Sequence, residues 1–184
     1  MKTFGRVLTA MITSFNDDGS VNIENNVAIA EHLLNHGSDG LVVCGTTGEN
    51  PTMSRESKIA LFKAVAEFCG DKGTIIANVG SNDTKGSVDF VKEVSAIPGI
   101  DGLLVVVPYY NKPNQQGQYL HFKSIAEATT LPIMVYNVPG RVGTGIFPAT
   151  LARLHKEYPH ICAIKEASGN LMIASEIKRL MPGD

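Results

Sequence analysis

The sequence has no tryptophan, only three cysteines, and aromatic residues at just 7%. Three thiols cannot build the multiple-disulfide framework that staples a small secreted domain. Cys44, Cys69 and Cys162 match no zinc-ligand spacing. They lie in or beside apolar strand-like runs or at the end of a helical pattern, which predicts buried free thiols in a reducing compartment. An excess of either charge is lacking too: 16 Lys+Arg against 18 Asp+Glu gives a net charge of −2. That excludes the basic footprint of a nucleic-acid or anionic-membrane binder. Long hydrophobic runs are missing. Leu103-Leu104-Val105-Val106-Val107-Pro108 is among the longest, well short of the roughly 18 residues a membrane helix needs. The start, Met1-Lys2-Thr3-Phe4-Gly5-Arg6, carries no apolar signal-peptide core. A cytoplasmic protein with neither membrane nor nucleic acid as partner is the expectation.

What is present is ordinary globular composition, 43% hydrophobic and 18% charged over 184 residues. It predicts one domain spanning residues 1–184. Short Val- and Ile-rich runs recur at 7–12, 41–44, 74–79, 103–107, 133–136 and 161–164. They do not alternate with polar residues, as strands buried on both faces of a parallel sheet do not. Between them, apolar residues at three- and four-residue steps mark helices: Ile23 to Leu34, Ile59 to Cys69, Val88 to Ser95, Tyr119 to Thr129, Phe147 to Leu154 and Leu171 to Met181. Asn78, Val107, Tyr136 and Lys165 follow one another at intervals of 29 residues, close to the ~30 that one β–α unit takes. Six such units fit either a doubly wound open sheet or a TIM (β/α)8-type barrel, and periodicity does not separate the two. The barrel needs eight units and about 250 residues, so six of eight are expected here. Pro182-Gly183-Asp184 reads as the approach to a seventh strand, with two units and any helical extension absent.

In either architecture, chemistry gathers at the carboxyl ends of the strands. Those ends read Gly45-Thr46-Thr47-Gly48-Glu49, Asn78-Val79-Gly80-Ser81-Asn82, Pro108-Tyr109-Tyr110-Asn111, Tyr136-Asn137-Val138-Pro139-Gly140-Arg141 and Lys165-Glu166-Ala167-Ser168-Gly169. They supply hydroxyls, phenols, an arginine and a lysine, but no His, Cys or carboxylate cluster to hold a metal. The histidines His32, His36, His121, His155 and His160 fall on helices or in loops at the opposite end. Lys165 closes an apolar run. Desolvation there disfavours the ammonium form and favours a nucleophilic amine; a structural lysine paired with Glu166 fits the same position. Tyr136 closes the preceding strand, either to relay protons or simply to pack. Thr46-Thr47 between glycines is a tight turn or a carboxylate holder. The segment from Gly140 to Gly145 does not follow the dinucleotide-binding order.

Taken together, the segments around Thr46-Thr47, Tyr109-Tyr110, Tyr136-Asn137-Val138-Pro139-Gly140-Arg141 and Ile164-Lys165-Glu166 resemble the signature segments of the dihydrodipicolinate synthase family. The wider family includes N-acetylneuraminate lyase and 2-keto-3-deoxy sugar acid aldolases. Arg141 and the Thr46-Thr47 pair favour the synthase. The resemblance implies a (β/α)8 barrel, a homo-oligomer (a tetramer of tight dimers) and no metal or organic cofactor. It implies condensation of pyruvate with L-aspartate-4-semialdehyde in diaminopimelate and lysine biosynthesis. Lys165 resembles the Schiff-base lysine. Tyr136, Thr46 and Tyr110 resemble the proton relay, with Tyr110 reaching into a neighbouring subunit. Thr47, with Gly48 beside it, resembles the pyruvate-carboxylate site, and Arg141 the residue meeting the aldehyde substrate's carboxylate. Alternatives are a lyase or aldolase of the wider family, or an inactive truncated paralogue that modulates an intact enzyme. Arg55, Lys58 and Gly86 stand where lysine-regulated members carry a histidine or aromatic residue, a second histidine and a glutamate, so lysine inhibition is expected to be weak or absent.

Overall fold

The computed structural model describes residues 4–181; Met1-Lys2-Thr3 and the Pro182-Gly183-Asp184 ending fall outside the described residues. Strands β1 (Leu8–Ala10), β2 (Gly40–Val43), β3 (Thr74–Asn78), β4 (Gly102–Val106), β5 (Ile133–Asn137) and β6 (Ile161–Glu166) alternate with helices α1 (Ile23–Asn35), α2 (Arg55–Cys69), α3 (Thr84–Ser95), α4 (Gln115–Ala126), α5 (Pro139–Val142), α6 (Pro148–Glu157) and α7 (Leu171–Leu180). The strand order is β1-β2-β3-β4-β5-β6. A doubly wound sheet reverses direction at a switch point. Strict chain order has no reversal and is the order of a TIM barrel, of which six units are present.

The contacts group the chain into two compact units, with boundaries at the end of β3, inside α3 and inside β4. One runs up to Asn78 and includes Glu93–Leu104; the other comprises Val79–Lys92 and the chain from Val105 onward. In the first unit, β2 and β3 are buried along their whole length. Leu61, Phe62, Val65, Ala66 and Cys69 of α2 cover the sheet. Their spacing is one helical stripe. Asn26 of α1 is fully buried yet satisfied, because its Nδ2 donates to Ser14 O and Asn22 O while its Oδ1 accepts from Ser14 N. In the second unit, α4 buries Tyr119, Phe122, Ile125 and Ala126, and α6 buries Leu151 and Leu154. Short polar residues start the helices. Asn22, Ser54, Asn114 and Asn170 each accept a first-turn N–H, and proline opens α5 and α6.

The second unit also holds the one irregular pairing that matters for the site. β5 and β6 start with Ile133 opposite Ile161, but Met134 lies opposite Ala163. Cys162 is the extra residue in this one-residue register shift. It is exposed, while Cys44 and Cys69 are buried. This corrects the expectation of three buried thiols: β6 ends the strand order, and Cys162 faces a cleft of about 1260 Å³ beside α6 and α7.

Backbone approaches backbone closely at Gly80. A Cβ there would lie 2.5 Å from Val106 N, whereas one on Gly140 meets nothing within 4 Å. Gly80→Ala is therefore expected to destabilise by about 1–3 kcal/mol. Gly140→Ala should stay within about 0.5 kcal/mol of the parent. Urea unfolding of both variants checks the contrast.

Candidate active site

In the first unit, the chain leaves β2 through Cys44, whose φ of 54° is left-handed. Asn78 Nδ2 donates to Cys44 O at 2.8 Å and holds that turn. Burial pushes the Cys44 thiol up to about 12, so it is an inert packing group. Thr46–Gly48 then form one 3-10 turn, with Gly48 N donating to Gly45 O at 3.0 Å. Gly48 is buried, and a Cβ on it would come within 2.9 Å of Thr13 Oγ1. Thr13 Oγ1 in turn donates to Gly48 O at 2.7 Å. The turn is thus pinned by its glycine, and the exposed Thr46 and Thr47 hydroxyls have no hydrogen-bond partner among the described residues.

In the second unit, the register shift takes effect at the strand ends. Tyr136 lies opposite Lys165 and Asn137 opposite Glu166. Paired residues on adjacent strands share a face, so the phenol and the amine stand together. Lys165 Nζ lies 4.7 Å from the Tyr136 ring centroid. Burial disfavours the ammonium form and holds the Lys165 amine below its ordinary value. Lys165 has no ion pair among the described residues. Glu166 bonds instead to Asn137 and Ser168, which removes the structural ion pair as a reading of Lys165. Tyr136 is 6% exposed, and Val107 N donates to its carbonyl at 3.0 Å.

Arg141 sits exposed in α5, a four-residue helix between Pro139 and the left-handed Gly143. In the sequence this segment reads only as glycine-rich. Proline at the first helical position with glycine just past the last is the signal that could have found the helix. Tyr110 is 89% exposed with φ 69°, and Lys112 two residues on has φ 46°. Two left-handed non-glycine residues in one loop cost on the order of 1–3 kcal/mol each. The loop is fastened by Asn111, which exchanges two hydrogen bonds with Asn82, and it presents the Tyr110 phenol outward.

Of the predicted site residues, the second unit thus brings Lys165 and Tyr136 into contact, with Arg141 on the turn that follows Tyr136. Tyr110 lies on the loop that follows β4. Thr46, Thr47 and Gly48 form one turn in the first unit. Asn137 carries no signal in the sequence that singles it out, and Glu166 reads there only as a possible partner for Lys165. No group of three or more His, Cys, Asp or Glu side chains suited to a metal occurs among the described residues. Nor is any helix among them long and apolar enough to cross a membrane. At the positions matched to a lysine cleft, Arg55 is paired with Glu93 at 2.6 Å, and burial holds Lys58 below its ordinary value.

Comparison with known proteins gives this arrangement a context. Curated 4-hydroxy-tetrahydrodipicolinate synthases from Desulforamulus reducens and Moorella thermoacetica are 52% and 51% identical over 181 residues, covering 98% of this chain and 61% of theirs. The chain thus spans about three-fifths of the length of these relatives. A dihydrodipicolinate synthase structure from Bacillus anthracis superposes with a TM-score of 0.95 at 41% identity, over 98% of this chain and 61% of that one. One from Cyanidioschyzon merolae with lysine bound gives 0.93 at 43%, over 97% and 60%. The model of the Dihydrodipicolinate synthetase family matches residues 3–184, and with strand order and sequence in agreement, the chain belongs to that family.

Proposed function

We propose that this chain carries the pyruvate-condensing machinery of a 4-hydroxy-tetrahydrodipicolinate synthase, acting in the cytoplasm as a homo-oligomer. The observation that carries the reading is Lys165: a desolvated amine at the carboxyl end of β6, without an ion pair among the described residues and with the Tyr136 ring against it. Neutral Lys165 attacks the pyruvate ketone to give a carbinolamine, which loses water to form an imine. The protonated imine draws off electrons, so a methyl proton leaves and an enamine forms. The enamine carbon attacks the aldehyde of L-aspartate-4-semialdehyde. The substrate's own amine then attacks the imine carbon, closing the ring and releasing Lys165. No metal or organic cofactor enters this scheme.

Tyr136, Thr46 and Tyr110 move protons in the carbinolamine and ring-closing steps. The high exposure of Tyr110 supports a role in a neighbouring subunit's site. Thr47 and Gly48 bind the pyruvate carboxylate, and Arg141 the aldehyde substrate's carboxylate, which a guanidinium grips with two parallel bonds.

Incubating the chain with pyruvate and borohydride and weighing it intact tests this reading. A reduced pyruvate adduct is expected, absent in Lys165→Ala and slowed about 10²–10⁴-fold in Tyr136→Phe; a folded chain without adduct would sink the proposal. The lowered Lys165 value also sets a sign for stability. A lysine held below 10.5 in the folded state penalises folding most at low pH, and the penalty vanishes as pH rises past 10.5. Lys165→Met should therefore raise the melting temperature at pH 7, with the gain shrinking by pH 10.5. In assays of the synthase reaction, millimolar lysine is expected to inhibit weakly or not at all, because Lys58 opposes a second ammonium.

A further inference from the structure

Behind the lysine, polar contacts converge on two groups that the proposed chemistry leaves unused. Alternation along a strand puts Asn137 and Glu166 on the face opposite Tyr136 and Lys165. Asn137 is 1% exposed; its Nδ2 donates to Glu166 Oε2 at 2.6 Å, and its Oδ1 accepts from Ile146 N at 3.2 Å. The other oxygen of Glu166 accepts from Ser168 N at 2.7 Å. Ala167 N donates to Asn137 O at 2.8 Å, continuing the β5–β6 pairing past the strand ends. A Cβ on Gly145 would come within 3.1 Å of Asn137 Oδ1. Gln115 fastens the same stretch, donating to Gly145 O at 2.7 Å and accepting from Phe147 N at 2.9 Å. The chain thus leaves β5 at Asn137, carries Arg141 through α5, and returns at Ile146 to the side chain it left from.

We infer that Asn137 and Glu166 are positioning residues, a clamp that fixes the direction in which Lys165 leaves β6 and ties the Arg141 turn to the same frame. The inference rests on the Schiff-base reading of Lys165 and deepens it. A carboxylate held by two N–H donors, one from each strand end, keeps both bonds in only one relative placement of those ends. A nucleophile must be held within about 0.5 Å and 10–20° of its working geometry by groups that are themselves locked. The clamp supplies that lock without touching substrate.

A charge-neutral exchange tests it. Asn137→Asp alone sets two carboxylates against each other. Combining it with Glu166→Gln reverses the bond. The new amide on β6 then donates to the new carboxylate on β5, and the oxygen of that amide still accepts from Ser168 N. Two readouts are taken on the 184-residue chain: the rate of pyruvate trapping by borohydride against pyruvate concentration, and the reductive methylation of Lys165 by formaldehyde relative to exposed Lys63 and Lys92. Asn137→Asp is expected to lower the trapping rate at saturating pyruvate at least tenfold, with half-saturation changed less than twofold, and to cut relative methylation about fivefold. The double variant should restore both to within threefold. A folded Asn137→Asp with both readouts unchanged overturns the inference, as does a folded double variant that restores neither. Should Asn137→Asp not fold, Glu166→Gln alone, expected to lose about threefold in each readout, is compared with the double variant. If the parent chain traps no pyruvate, the functional reading fails for this chain, and the methylation ratios alone decide the clamp.

Discussion

The register between β5 and β6 is the constraint on which the site depends. In a strand, side chains alternate faces, so a slip of one residue exchanges the two faces wholesale. The extra residue Cys162 supplies such a slip between Ile133 and Met134. Without it, Lys165 would pair with Asn137, and Tyr136 with Ile164. With it, the amine and the phenol share one face and the amide and carboxylate share the other. An irregularity of one residue thus sets the amine and phenol on one face and the amide and carboxylate on the other.

The desolvation of Lys165 has the same origin. The residue before it on β6, Ile164, is apolar, and the carboxylate after it, Glu166, points away and is occupied by Asn137 and Ser168. Placing the anion behind the sheet, and satisfying it there, keeps it from holding the lysine as an ammonium. Burial of Lys165 costs folding stability while its amine is charged.

Much of this was legible in the sequence. Every predicted strand run has a strand within it or overlapping it, and each helical stripe overlaps a helix, because buried parallel strands and amphipathic helices write their burial directly into residue type. β1 proved shorter than its apolar run, three residues at Leu8–Ala10. The sequence left open whether Lys165 was a site residue or half of an ion pair. That turned on where Glu166 points, which depends on the alternation of faces and the Cys162 shift. The clamp was hidden for the same reason: Asn137 and Glu166 are 29 residues apart, and only the strand pairing makes them neighbours. The exposed Cys162 and the short helix α5 were missed because a bulge and a single turn leave no periodic pattern.

Strand order that equals chain order bears on how the molecule comes into being. β3 pairs with β2, 34 residues before it, and each later strand with the one made about 29 residues before it, so every closure spans a similar loop and carries a similar entropic cost. At synthesis rates of about 5–20 residues per second, successive strands emerge roughly 1.5–6 seconds apart. Helix and loop formation are complete within microseconds. The ribosome therefore delivers each strand long after its template has been laid down, and the sheet can grow in one direction, with its newest edge always the one still waiting for a neighbour.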